Sequence, residues 1–246
     1  MFTTIFSGRR EPVPEMARVK VEVKQRGFRF NQQRDYALIS MLHAYDDILS
    51  VDQVHRWFFT TLKKARERIS LLCEYGYIDR PDATERYQFP EAVIWTSRKA
   101  ADEIAGHLEI PIKEFHYREK PHVSKVAHDI GLNEFRHTFE VAATTLPQFT
   151  LEYWYGQDEC LSRFPRPTEY LDQHGERKKK RVEPDGLCSL LFLAGKKQRM
   201  RFCIEYDNAT EPNVRFARDK VCPGIQFLHS RQYREALNTE IPAVYL

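Results

Sequence analysis

The chain has 246 residues, of which 42% are hydrophobic and 13% aromatic, so its composition excludes a disordered protein and suits one large or two modest domains. Its 38 Lys and Arg residues nearly balance 35 Asp and Glu residues. Affinity for nucleic acid must therefore come from local patches. No apolar run reaches the length of a membrane span, and the first residues lack a signal-peptide pattern. We expect a cytoplasmic protein that does not bind membranes.

Cysteine spacing excludes two common kinds of site. The five cysteines lie far apart, with no CxxC pair and no histidines at zinc spacing. We therefore expect neither a disulfide framework nor a structural zinc, and no cofactor.

Residues 31–108 predict a winged helix-turn-helix, preceded by an N-terminal extension at 1–30. Apolar spacing predicts a first helix from about Asn31 to Tyr45. Ser50 and Gln53 have the spacing of a capping box, which starts a short second helix at Ser50. A third helix follows from about Leu62 to Tyr75, and Gly76 is suited to the left-handed conformation that ends a helix.

A hairpin and a fourth helix complete this predicted unit. Residues 77–79 and 92–95 are its expected strands, with the wing tip between them at 80–88. Thr96 is the expected cap of a helix from about Ser97 to Leu108. Residues 109–122 contain two prolines among charged residues and predict a connector.

Basic side chains occupy the early turns of the third helix, where a recognition helix meets DNA. A solvated helix face is the alternative, but the order of helices, turn and hairpin favours double-stranded DNA as the partner. The cationic run 177–181 is expected in an exposed hairpin loop, which is either simply solvated or in contact with phosphates. The candidate contact residues are at the helix start, in the wing and in this run: Thr60, Thr61, Lys63, Lys64, Arg66, Arg68, Arg80, Lys178, Lys179 and Lys180.

The second half predicts an α/β order. A helix from Ser124 to about Pro147 precedes strands at 149–155, 187–194 and 200–206. Helices at 213–221 and 231–237 and a last strand at 243–246 follow. The overall fold class is therefore α+β, with a winged helix followed by an α/β domain over 123–246.

Acidic residues fall at the ends of two of these strands. Asp185 enters one strand, and Glu205 and Asp207 follow the next. A hairpin joins the strands, so the carboxylates can share one end of the sheet. Hard oxygen ligands of this kind can hold Mg²⁺ for phosphodiester hydrolysis, with Asp185 and Glu205 as the metal ligands.

This arrangement is similar to the PD-(D/E)xK nuclease fold, over about 123–246. Asp207 stands where that motif has its Lys. Lys220 on the next helix could reach back, but we expect it at the surface. We likewise expect Glu134, Glu140 and His128 on a solvated helix face, although each could add to the cleft. The resemblance therefore implies a degenerate site, more consistent with a scaffold than an enzyme.

The two halves together resemble the replication-relaxation family of plasmids and integrative conjugative elements. The resemblance rests on segments in a fixed order: 73–80, 93–96, 128–135, 183–185 and 204–211, with Lys220 beyond them. It implies a DNA-binding protein of replication control or of the relaxosome, with a relaxase or a replication initiator as possible protein partner. A homodimer is compatible with a winged helix that reads a palindrome.

Two other functions stay open. A Mg²⁺-dependent nuclease or nickase would use Asp185 and Glu205, with Asp207 and Lys220 as further catalytic candidates. A protein-interaction module would use Tyr153, Trp154 and Tyr155 as an exposed docking face.

Overall fold

A computed structural model describes residues 28–31, 33–107, 109, 111–112, 119–172, 174–193, 198–208 and 212–246. Its mixed helices and strands confirm the α+β class. Most of the predicted N-terminal extension and much of the connector lie outside the described residues. No helix within them is long and apolar enough to cross a membrane.

Four helices and a small sheet form the N-terminal part. The helices are α1 (Arg34–Ala44), α2 (Val51–Phe58), α3 (Leu62–Glu74) and α4 (Arg98–His107). The antiparallel sheet has the order β1-β3-β2, with β1 at Ile48–Ser50, β2 at Ile78–Asp79 and β3 at Val93–Thr96. Their apolar faces share one core that includes Leu38, Leu49, Ile69, Ile94 and Ile104.

The predicted helix boundaries are largely confirmed by the capping contacts. Ser50 and Gln53 form both hydrogen bonds of the capping box, and Gly76 has a φ of +73° after the end of α3. The predicted cap of α4 was wrong by one residue. Ser97 Oγ accepts from Ala100 N at 3.2 Å, whereas the Thr96 hydroxyl donates to buried Asp47.

Strand β1 is an element of the N-terminal part that sequence spacing missed. It has only three residues, all buried, and α2 begins directly after it. It therefore shows no alternation of polar and apolar residues. Its pairing with β3, in the register Leu49↔Ile94, exists only in the folded chain.

The C-terminal part is built on a four-stranded sheet of order β4-β7-β8-β9. The strands are β4 (Phe149–Gly156), β7 (Gly186–Phe192), β8 (Gln198–Ile204) and β9 (Val244–Tyr245), and β9 pairs in parallel with β8. The long helix α5 (Val126–Thr145) packs Leu132, Phe135 and Phe139 against one face. Helices α6 (Gln157–Arg163), α8 (Cys222–Leu228) and α9 (Arg231–Leu237) pack against the other.

One local prediction in this part was wrong. The cationic run is not in a loop, because Arg177–Lys180 is strand β6 and pairs with β5 at Thr168–Leu171. The turn lies at 172–176, where Asp172 accepts backbone hydrogen bonds. Residues 157–163 form helix α6, which was not predicted. The predicted helix 213–221 is helical over its whole length, with a short α7 (Asn213–Phe216) followed by a π-helical turn at Ala217–Val221.

Helix α5 also joins the two parts of the molecule. Buried Asn133 donates to the backbone oxygens of Tyr45 and Ile48 at 3.0 and 2.8 Å. Gln53 of the capping box donates to Ile130 O at 2.9 Å, and Arg56 of α2 forms a two-pronged ion pair with Glu134. These contacts hold α2 and β1 against α5, away from the exposed side of α3.

Candidate nucleic-acid interface

The exposed face of α3 follows directly from its residue spacing. Ala65, Ile69 and Leu72 are buried, which fixes the rotation of the helix in the core. Lys63, Arg66 and Ser70 are spaced three and four residues apart and share the opposite, exposed face. Lys64 is also exposed, on the flank of this face. The helix therefore presents three cations to solvent in its first two turns.

The start of α3 is fixed by its cap. Thr61 Oγ1 accepts a hydrogen bond from Lys64 N at 3.3 Å, and Thr60 is exposed immediately before it. Backbone donors and a hydroxyl thus lie beside the cations, and the partial positive charge of a helix N-terminus adds to theirs.

Arg68 differs from the other cations of α3. Its guanidinium bonds Asp35 of α1, with Nε 3.0 Å from Oδ1 and a second, shorter contact through Nη2. Asp35 is fully buried, and the Arg68 side chain is 13% exposed. Arg68 also lies over the Phe28 ring. Arg68, which was predicted to contact DNA, is therefore bound to Asp35 within the protein.

The wing segment is ordered by short-range hydrogen bonds. Asp82 accepts from the backbone N–H groups of Thr84 and Glu85 at 2.7 and 2.8 Å and from the Thr84 hydroxyl. These bonds hold the pKa of Asp82 below its usual value, and the bond from the Thr84 hydroxyl has the largest effect. Phe89 is buried and stacks on Trp95 of β3. The wing is thus ordered by bonds within it, and Phe89 attaches its end to the sheet.

Two wing residues that sequence reasoning did not single out lie on the same side as α3. Arg86 and Tyr87 belong to a 3-10 turn at Arg86–Gln88, and the Arg86 guanidinium lies 5.2 Å from the Tyr87 ring centroid. Arg80, which was predicted, approaches Ser70 of α3 at 3.5 Å. The sequence signal that could have identified them is an arginine directly followed by a tyrosine in a polar wing segment.

Helix α3 and the wing enclose a groove of about 790 Å³. Its lining includes the cations Arg66, Arg80 and Arg86, the carboxylates Asp82 and Glu91, and the apolar residues Ile69, Val93 and Ile94. Lys63, Lys64, Arg66, Arg80 and Arg86 are all exposed. Within the described part of the chain, none of these five cations has a carboxylate at ion-pair distance. Their positive charge is therefore available to an external anion.

The cations of strand β6 are in a different situation. Lys179 pairs with Glu169 across the hairpin at 2.9 Å, and Lys178 pairs with Glu176 at 2.6 Å. The ammonium of Lys180 contacts the backbone oxygen of Asp219. Neighbouring acids thus neutralise most of this predicted patch.

Asp185 meets His128 at one end of the larger sheet. The His128 ring lies 3.2 Å from Asp185 Oδ2 through Nε2 and 3.2 Å from Asp129 Oδ1 through Nδ1. The hydrogen bonds to Asp129 and Asp185 raise the pKa of His128 to about 10. The expectation that His128 faces solvent was wrong, because helix α5 directs it into this acidic end.

Glu205 and Lys220 form the second half of this site. Lys220 Nζ lies 2.8 Å from Glu205 Oε2, so the expectation of a surface lysine was wrong. Burial raises the pKa of Glu205 to about 6, and the charge of Lys220 opposes that rise. Asp207 is exposed beyond the strand end.

Asp185 and Glu205 do not fit the predicted Mg²⁺ ion. Asp185 Oδ2 accepts from Tyr206 N at 2.8 Å and faces the His128 imidazolium, while Glu205 Oε2 faces an ammonium. Mg²⁺ requires several oxygen ligands in a strict geometry. Among the described residues, no three His, Cys, Asp or Glu side chains converge as a metal site.

Other candidate residues lie away from this site. Glu134 pairs with Arg56, and Glu140 pairs with Arg136 and accepts from the Tyr45 hydroxyl. Both therefore belong to the contact between α5 and the N-terminal part. The predicted docking aromatics are half-buried rather than exposed: Tyr153 stacks on Tyr155, and Trp154 packs near Phe135 and Phe139.

Comparison with known proteins identifies a family. A sequence model of the family described as replication-relaxation matches residues 42–233, which include most of both parts of the structure. No curated protein and no solved structure matches the chain.

Proposed function

The chain belongs to the replication-relaxation family, and from that premise we propose that it binds duplex DNA through α3 and the wing. Membership supports involvement in replication or mobile-element processes. The observation that carries DNA binding is the group of five exposed cations without carboxylate partners beside the groove. We assign 31–108 to a winged helix-turn-helix and 123–246 to a degenerate PD-(D/E)xK-like domain.

In this proposal, α3 enters the major groove and the wing follows the adjacent backbone. Lys63 and Arg66 face the base edges and phosphates, and an arginine can bond two acceptors of guanine at once. Thr60, Thr61 and Lys64 bind phosphates near the helix start. Arg80 contacts the DNA backbone beside the wing. Arg68 does not contact DNA but holds α3 against α1.

The C-terminal part acts as a scaffold that does not cleave DNA. His128 and Lys220 supply the positive charge that the two carboxylates need, and α5 fixes the N-terminal part in place. A relaxase or a replication initiator is the proposed protein partner, in replication control or relaxosome assembly. A homodimer on a palindromic site fits this role.

The test of DNA binding is a mobility-shift titration against DNA from the protein's own genomic neighbourhood. The double variant Lys63→Ala/Arg66→Ala should weaken duplex binding by tenfold or more, since each lost charged contact costs about 1 kcal/mol or more. Arg231→Ala/Arg234→Ala removes two exposed cations of α9 and is the matched control. Equal affinity of the first variant and the wild type would refute the proposal.

The nuclease alternative has one observation in its favour, which is the approach of Lys220 to Glu205. Incubation of supercoiled plasmid with the protein in Mg²⁺ or Mn²⁺ decides it. We expect no nicking by wild type. Nicking that disappears in Asp185→Ala would replace the scaffold with an enzyme.

A further inference from the structure

We propose that Tyr87 at the wing tip stacks on an unpaired base, so that the preferred ligand is duplex DNA adjoining a single-stranded segment. This inference rests on the proposed DNA binding by α3. It adds the kind of DNA end or junction that the wing would select.

Tyr87 is the most exposed large apolar side chain among the described residues, with 80% of its surface accessible. The exposed Tyr87 ring has no role in the fold, because Phe89 is the buried aromatic residue that attaches the wing to the sheet. Arg86 lies over the ring and its Nη2 approaches the Tyr87 hydroxyl at 3.5 Å. Arg86 and Tyr87 together form a wing tip that is both aromatic and cationic.

The tip is held in a fixed position. Arg86 N donates to Asp82 O at 3.0 Å and Gln88 N donates to Glu85 O at 2.8 Å. Glu85 also contacts Lys120, which lies near the end of the connector. A stacking residue on such a turn needs little ordering when it binds, which favours affinity.

Charge identifies the occupant of the surface around the tip. Arg66, Arg80 and Arg86 line the same groove as Tyr87, and none of them has a carboxylate partner within the described residues. Positive charge beside an aromatic ring is the combination that binds single-stranded nucleic acid, with phosphates on the cations and bases on the ring.

Duplex geometry explains why an unpaired base is required. Within a duplex, stacking hides the faces of the bases, and the grooves display only their edges. A tyrosine face can therefore stack only where a base has left the stack. With α3 on the duplex, the tip of the adjacent wing would meet that base at the boundary between paired and unpaired strands.

The experiment compares two labelled probes that share about 20 base pairs, one blunt and one with an unpaired extension of about 6 nucleotides. Wild type should bind the extended probe about tenfold more tightly, which is within the range for stacking of one base. Tyr87→Ala should lose this preference and keep its affinity for the blunt probe, whereas Tyr87→Phe should keep both. A 2-aminopurine at the first unpaired position should be quenched by wild type and not by Tyr87→Ala.

Equal binding of both probes by wild type, or equal weakening of both by Tyr87→Ala, would overturn the inference while leaving duplex binding intact. Failure of wild type to bind the blunt probe would instead refute the proposed function. Because Tyr87 is exposed, its substitution does not threaten the fold.

Discussion

Arg66 and Arg68 lie two positions apart in α3 and have different partners. Arg66 lines the groove without a carboxylate, whereas Arg68 bonds the fully buried Asp35. The helical rotation of about 100° per residue separates them, since it places Arg68 toward α1. The same residue type therefore serves the ligand at one position and the fold at the other.

Stability measurements can separate these two arginines. Arg68→Ala removes the closer of two guanidinium groups from the buried Asp35 carboxylate and leaves Arg34 at 3.4 Å, so the free energy of unfolding should fall by about 2 kcal/mol. Arg66→Ala should change it by less than about 0.5 kcal/mol. Urea denaturation of both variants is the measurement, and Asp35→Asn should restore part of the loss in Arg68→Ala. Equal stability of Arg68→Ala and wild type would contradict the structural role given to Arg68.

At the scale of elements, α5 organises the molecule because it contacts the sheet on one side and α2 on another. His137 of α5 stacks on Trp57 of α2, with ring centroids 4.0 Å apart. Burial lowers the pKa of His137 below its usual value of 6.5. Its buried Nδ1 has no hydrogen-bond partner in the described part. The contact between α2 and α5 is thus suited to a neutral imidazole.

This contact predicts a dependence of stability on pH. Because the folded-state pKa of His137 is lower than the unfolded one, its contribution is present above pH 6.5 and is lost as pH falls through the folded pKa. The pKa of Glu134 is lowered by Arg56, so its contribution is lost further toward acid, below 4.5. The raised pKa values of His128 and Glu205 act in the opposite direction, because they add stability as pH falls from 7 to 5. Urea unfolding followed by Trp fluorescence should therefore be compared between wild type and a variant without His137, whose own contribution is a loss of stability between pH 7 and 5.

His137→Phe keeps the stacked ring and cannot titrate, so this variant should lose less stability between pH 7 and 5. Substitution of exposed His229 by Gln is the control and should leave the wild-type dependence unchanged. If His137→Phe shows the same pH dependence as wild type, groups other than His137 cause the loss of stability in acid.

Sequence spacing predicted most elements because their signals are local. The capping box at Ser50, the apolar spacing of α3 and the left-handed Gly76 need no distant partner. Strand β1 and the placement of His128 depend on contacts with residues far along the chain. Local periodicity carries no information about such contacts, which explains why they were missed.

At the scale of the whole molecule, what matters is where positive charge remains unneutralised. The formal net charge is only +3, and many cations outside the groove are paired with nearby acids, as in Arg163 with Glu159 and Arg199 with Glu152. The groove beside α3 groups three cations that have no carboxylate partner within the described residues: Arg66, Arg80 and Arg86. A modest total charge is thereby compatible with a concentrated cationic surface.

The salt dependence of DNA binding measures which of these cations contact phosphates. Replacing Lys63, Arg66, Arg80 and Arg86 by Ala should reduce the slope of log K against log salt by about 3 to 4, since each phosphate contact contributes about 0.9. Replacing Lys178, Lys179 and Lys180 should reduce it by less than about 1, because neighbouring groups already bind these ammonium groups. Filter-binding titrations at several salt concentrations give both slopes. Similar reductions would show that the β5–β6 hairpin contacts DNA as the sequence predicted.

The amino-acid sequence alone determined the α+β class, the order of the four N-terminal helices, the cationic early turns of α3 and the resemblance to the family that the comparison then found. These features depend on residue types and on spacings within a few turns or strands. Only the tertiary structure decided that Arg68 binds Asp35, that Lys220 binds Glu205, and that Tyr87 shares a groove with Arg66. An ion pair or a groove forms between residues that folding brings together, and a linear pattern does not specify which distant carboxylate will neutralise which cation.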